Sequence, residues 1–167
     1  RGSSLDHLQL FVSTFDAEVG GEQWSFAGTS LTLSGSHAFR EIGLDLPGLD
    51  VGSLFSSIQT IGRESGLLTD ATQVLLNGMS PSGDLSDIRA TMNLSRGFSS
   101  TKLTAKLHNI QIDAHESIPG ISSLSGFVTT TPAGGSLDVH NENPFSLNFS
   151  AMFPEAWSFD TAHARIN

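Results

Sequence analysis

The chain has 167 residues, enough for one domain with a core, and its 38% apolar and 15% charged content is that of a folded sequence rather than a disordered one. Seventeen acids against 8 bases give a formal charge of −9, which argues against nucleic acid and anionic membrane surfaces, because both need clustered Lys and Arg. There is no cysteine, which excludes disulfides, thiolate nucleophiles, iron–sulfur sites and cysteine zinc sites, and no apolar run approaches the roughly 18 residues of a membrane span.

The N-terminal third reads as strands. Leu8, Leu10 and Val12 alternate with His7, Gln9 and Phe11, and Val19-Gly20-Gly21-Glu22 supplies a turn. Trp24 and Phe26 alternate next, and Gly28 interrupts before Leu31 and Leu33 as a bulge would. Ser34-Gly35-Ser36 turns into Ile42, Leu44 and Leu46, and Pro47-Gly48 is expected to end that strand. The period then changes. Val51, Leu54, Phe55, Ile58 and Ile61 form one face of a helix, with Asp50 as N-cap and Gly62 or Gly66 as stop. Leu68, Ala71 and Leu75 form a second stripe that Gly78 is placed to end, so residues 50–78 read as a two-helix insertion.

Period two returns after Pro81-Ser82-Gly83. Ile88, Ala90, Met92 and Leu94 alternate, Arg96-Gly97 turns, and Leu103, Ala105 and Leu107 alternate again. Ile110 and Ile112 continue one step out of phase, which places a bulge near His108-Asn109. Pro119-Gly120 leads to Leu124 and Phe127, and Pro132-Ala133-Gly134-Gly135 to Leu137 and Val139. Asn143-Pro144 leads to a strand with Phe145, Leu147 and Phe149, and Phe153-Pro154 precedes a last strand from Trp157 and Phe159. The pattern predicts about eight to ten strands, mainly antiparallel, because no strand–helix–strand alternation is present. The chain opens Arg1-Gly2-Ser3 without an initiator Met, so residues 1–4 read as a vector scar. Residues 5–167 then read as a single β-rich segment of a longer protein.

Several segments carry a family resemblance. Leu75-Leu76-Asn77-Gly78-Met79-Ser80-Pro81-Ser82-Gly83-Asp84-Leu85-Ser86-Asp87-Ile88 resembles a helix, Pro-x-Gly turn and strand junction of the YhdP family of AsmA-like proteins. Ile121-Ser122-Ser123-Leu124-Ser125-Gly126-Phe127-Val128, Gly134-Gly135-Ser136-Leu137-Asp138-Val139 and Asn143-Pro144 follow in that family's order. Met152-Phe153-Pro154-Glu155-Ala156-Trp157-Ser158-Phe159-Asp160 is similar to its Leu-Phe-x-x-x-Trp-x-Leu-Asp stretch, with Met152 and Phe153 where the pattern has Leu and Phe, and Phe159 where it has Leu. Gln23–Gly28 and Ile42–Leu46 fit more loosely. The resemblance implies a large periplasmic protein of Gram-negative bacteria, anchored in the inner membrane. It implies a long, twisted, repeated β-sheet, grooved along one apolar face, that moves phospholipid toward the outer membrane. Read this way, Leu103, Ala105, Leu107, Leu137, Val139, Phe145, Leu147 and Phe149 are candidates for a lipid groove, and Val51, Leu54, Phe55, Ile58 and Ile61 for a helical cover over it. The expected partners are phospholipid and neighbouring β segments, with self-association through exposed sheet edges and no nucleic acid.

Chemistry-bearing residues form no constellation. The six histidines (His7, His37, His108, His115, His140, His163) lack the His-Glu-x-x-His pattern, and the pairs Asp113 with His115 and His140 with Glu142 each offer two ligands where a zinc site needs three or four. Ser99-Ser100-Thr101-Lys102 matches Ser-x-x-Lys but opens a strand, and there is no Gly-x-Ser-x-Gly elbow. No cofactor, metal or catalytic residue is expected. Two alternatives to the conduit stand: a closed β-sandwich binding module for a ligand such as carbohydrate, and a structural spacer. An open apolar face separates the conduit from both.

Overall fold

The computed structural model describes residues 6–19, 21–35, 39–66, 69–115, 118–149, 152–153 and 155–166. The sequence readings of residues 1–4, Gly20, Ser36, His37, Leu68, Pro154 and the Ala71 side chain fall outside them. The elements run β1 (His7–Val19), β2 (Glu22–Ser34), β3 (Glu41–Asp50), α1 (Val51–Glu64), α2 (Asp70–Met79), β4 (Ser82–Asn93), β5 (Lys102–Ile112), β6 (Gly120–Thr131), β7 (Gly134–Asn141), β8 (Phe145–Asn148), β9 (Trp157–Phe159) and β10 (Ala162–Ile166). All ten strands join one antiparallel sheet that does not close into a barrel. Its main path is β1-β2-β3-β4-β5-β6-β7-β10. Beyond β6 the sheet forks. One edge of β6 pairs first with β8, through Gly120–Ser122, and then with β7, through Gly126–Thr131; β9 extends the first branch and β10 the second.

A buried amide closes the gap between the two branches. Asn141, 1% exposed at the end of β7, accepts from the Ser125 backbone N–H (2.8 Å) and donates to the Ser123 carbonyl (2.6 Å) and that of Asn143 (3.4 Å). Ser123 and Ser125 lie where β6 passes from one partner strand to the other, so their backbone groups would otherwise be left without a ladder partner.

The helix pair forms as its caps dictate. Asp50 accepts from the Ser53 N–H (2.7 Å) and Thr69 from the Thr72 N–H (3.2 Å). Gly66 follows α1 in the left-handed region at φ +69°. Gly78 does not end α2, which runs on to Met79 and is followed by Ser80 at φ +40°. Gly78 instead lets the His115 ring approach, since a Cβ there would overlap it.

Three strand expectations need correction. Pro47-Gly48 does not end β3, which stays paired to β4 through Asp50. β2 accompanies β3 only as far as Asp45, and Pro47 falls opposite Asp87 between the pairs Leu46–Ile88 and Gly48–Ser86, where its missing N–H costs no ladder bond. Phe149 lies past the end of β8, not within it. The chain after Phe153 makes two short strands on different branches rather than one.

Asn141→Ala leaves two buried backbone groups of β6 unpaired. The expected loss is about 1–3 kcal/mol, read as a lower urea midpoint at unchanged slope. An unchanged midpoint would show that the fork holds without the amide.

Candidate functional site

Cross-strand register decides which side chains share a face. Leu10, Leu31, Leu44, Ala90 and Leu103 are successive partners across five strands. Leu8, Leu33, Ile42 and Met92 form a parallel rung beside it. Ala105, Val128, Leu137 and Ile166 form another, and Leu107, Gly126, Val139 and Ala164 the next. The candidates Leu103, Ala105, Leu107, Leu137 and Val139 therefore lie on one face, and that face continues through β4 to β1.

Each long strand must break its alternation to stay on this side, because period two otherwise sends successive residues to opposite faces. Within β4, Leu85 pairs with Leu107 while Ala90 pairs with Leu103, and the odd spacing is absorbed at Asp87 (φ +49°). Asn109 (φ +50°) does this in β5, where the expected slip brings Ile110 and Ile112 to the same side as Leu107. Ser123 (φ +57°) does it in β6 and Gly28 (φ +75°) in β2. Asp and Asn are the non-glycine residues that enter the left-handed region most readily.

Beyond this diagonal crease the apolar face is filled. Ile110, Leu124, Val139 and Phe145 are buried together, with Val51, Leu85, Leu107, Ile112, Ile121, Leu137, Leu147 and Ala162 packed around them. Helix α1 lies over this end. Its Val51 joins the cluster, and its Ser57 accepts from the Trp24 indole N–H (3.2 Å). The Gln59 side chain ties α1 to Asn77 of α2 (3.1 Å). Of the helical cover candidates, Val51, Leu54 and Phe55 are half-buried, whereas Ile58 and Ile61 face solvent at 49% and 44% exposure.

The groove candidates thus separate into three settings. Leu103 and Ala105 lie outside the packed cluster, Leu103 half-buried and Ala105 enclosed by its neighbours. Leu107, Leu137, Val139, Phe145 and Leu147 belong to the packed cluster. Phe149 stands apart in an aromatic group with Phe153 and Trp157 (ring centroids 6.4 and 5.3 Å). Sequence reasoning nominated only C-terminal residues. It passed over Leu8, Leu10, Leu31, Leu33, Ile42 and Leu44, whose alternation is the same and which line the open end.

The opposite face is polar and braced by ion pairs. Arg89 meets Asp45 across β3 and β4, Lys106 meets Asp87 at 2.6 Å, and Arg165 meets Asp138 across β7 and β10. Lys106 lowers the Asp87 pKa, first through its hydrogen bond and then its charge, and the hydrogen bond from Arg165 lowers that of Asp138. His140 and His163 also meet on this face, Nδ1 to Nδ1 at 2.9 Å, with Glu142 3.5 Å from His140 Nε2. Among the described residues no three His, Asp or Glu are placed to hold a metal ion. A hollow of about 500 Å³ on this side is lined by Lys106, His108, Phe127, Asp138, His140 and Glu142.

An open antiparallel sheet with one apolar face, one ion-paired face and a helix pair over one end defines a one-sided β scaffold. The YhdP protein family matches residues 5–167, and the chain belongs to that family, one of cell-envelope proteins. Neither a curated protein nor a solved structure matches the chain. No helix among the described residues is long and apolar enough to cross a membrane.

A carboxyl with a lowered folded pKa contributes above its unfolded value and loses that contribution as pH falls through the folded one. The Asp138 carboxyl is therefore expected to titrate below its ordinary 3.8 by carboxyl NMR, and to return toward 3.8 in Arg165→Gln. Equal midpoints in the two proteins would mean that the ion pair does not form in solution.

Proposed function

We propose that this segment shelters phospholipid acyl chains on its apolar sheet face, as one non-enzymatic stretch of a periplasmic conduit leading toward the outer membrane. In this reading the full-length protein is anchored to the inner membrane. The observation that supports it most is the run of apolar rungs from β1 to β10 on a sheet that does not close. A solid sandwich would bury that face on a second sheet.

The dimensions suit the task. Eight strands in the main path, about 4.8 Å apart, give a face about 34 Å long. Leu103 to Leu107 spans about 13–14 Å at strand rise, close to the roughly 15 Å of one leaflet's hydrocarbon. Each methylene sheltered contributes about 0.8 kcal/mol, so acyl chains need no polar constellation to bind. The outer edges of β1 and β10 carry unpaired backbone groups that neighbouring β segments of the same protein would complete, and in isolation they favour self-association.

The purified protein is expected to yield stoichiometric phospholipid on extraction and mass spectrometry, against a soluble control of similar size. Leu33→Asp and Leu103→Asp place a charge on the open half of the face, and are expected to fold by circular dichroism and to drop bound lipid to the control level. Leu107→Asp, in the packed cluster, is expected to unfold the chain instead. Wild type without lipid above control would leave a structural spacer as the better reading.

A further inference from the structure

The two rims of the sheet differ in charge, and the difference bears on which way a bound lipid lies. Seven Lys and Arg occur among the described residues. Arg89, Lys106 and Arg165 are held in the ion pairs of the polar face. Arg63 sits in the last turn of α1. The remaining three, Arg40, Arg96 and Lys102, form no ion pair with a described residue, are exposed, and stand along one rim of the sheet. The Leu94 N–H bonds the Arg40 carbonyl (2.7 Å) and Arg96 lies in the turn that follows, whereas Lys102 opens β5 opposite Thr91, one residue out of phase with Leu103 and so on the ion-paired side of the rim.

This rim is the end of the sheet away from the helices. Its described acids are Asp6 and Glu41, whereas the opposite rim carries Asp50, Glu64 and Asp84. The turn is well held: Asn93 Oδ1 accepts from the N–H groups of Ser95 and Arg96, and Ser100 Oγ donates to the Gly97 carbonyl (2.7 Å). From it project Phe98, 77% exposed, and Leu94, 45% exposed. Immediately inside the rim lies the rung of Leu33, Ile42 and Met92. Cations at the edge, an aromatic beside them and aliphatic side chains inward repeat the polarity of a phospholipid, from phosphate to glycerol to tail.

We infer that Arg40 and Arg96 form a headgroup site, holding the phosphate of a phospholipid whose acyl chains run inward along the apolar face. The inference rests on the conduit reading and adds to it the orientation of the lipid and a preference for net anionic headgroups. Phe98 sits at the boundary between headgroup and chains. The helix-bearing rim, rich in acids, repels the same phosphate, so the two rims act together.

The test incubates the protein with vesicles of equal parts phosphatidylcholine and phosphatidylglycerol, re-isolates it, and measures both lipids by mass spectrometry at low and high salt. The expected result is phosphatidylglycerol enrichment of at least about fivefold, the factor that one cation near an anionic surface supplies, lost at high salt. Combined Arg40→Gln and Arg96→Gln abolishes the enrichment with total lipid retained, Arg96→Gln alone removes part of it, and Lys102→Gln or Arg63→Gln leaves it unchanged. No enrichment in wild type, or enrichment that survives the double change, overturns the headgroup site and leaves the conduit standing. Absence of both lipids from wild type overturns the conduit and the headgroup site with it.

Discussion

A β-strand keeps one face apolar only while its alternation is unbroken, yet the strands that bridge this crease each break it once. Everything else in the molecule depends on how those breaks are placed. Asp87, Asn109 and Ser123 take left-handed backbone conformations in β4, β5 and β6, and Gly28 does so in β2. Each shifts its strand by one residue, so that apolar side chains before and after the shift share a side. Without the shifts, Ile110, Ile112 and Ile121 would face the ion pairs and the packed cluster would not exist. Asn141 supports the last shift from a neighbouring strand, satisfying the carbonyl and N–H that the irregular stretch leaves free.

The breaks divide the apolar side into two regions with different physics. On one side of the crease, residues pack on one another and on α1, and Phe145 and Val139 are almost fully enclosed. On the other, the rungs from Leu10 to Leu103 are backed by the sheet but capped by nothing among the described residues. Stability can be drawn from the first region and surface left free in the second, so a charged residue is expected to unfold one and only disarm the other. The opposite face cannot exchange roles with either, because its exposed ion pairs cost little to solvate and contribute little to stability.

Much of this was legible in the sequence. The helix pair, the Asp50 cap, the antiparallel class and the slip near Asn109 follow from spacing and residue type alone. The common face of Leu103 and Val139 was not legible, because it depends on the pairing of β5 with β6 and of β6 with β7, and register is a property of two strands at once. Pro47 misled because a proline ends a strand only where both edges are in use. The charge of −9 misled in another way. A sum over the chain conceals position, and the subtraction hides three cations that the fold leaves along one rim. Phe149 sits in phase with Phe145 and Leu147, but the chain leaves the sheet at Asn148, and phase alone does not show where pairing ends.

The two outer strands are of unequal length. β1 offers 13 residues along its free edge and β10 only 5. A ladder is no longer than its shorter rail, so joining β10 of one copy to β1 of the next would leave most of β1 without a partner. Two β1 edges brought together antiparallel can match along their whole length. The edge of β1 is thus the longer template for another strand, and the place where a charge or a proline would most reduce edge pairing.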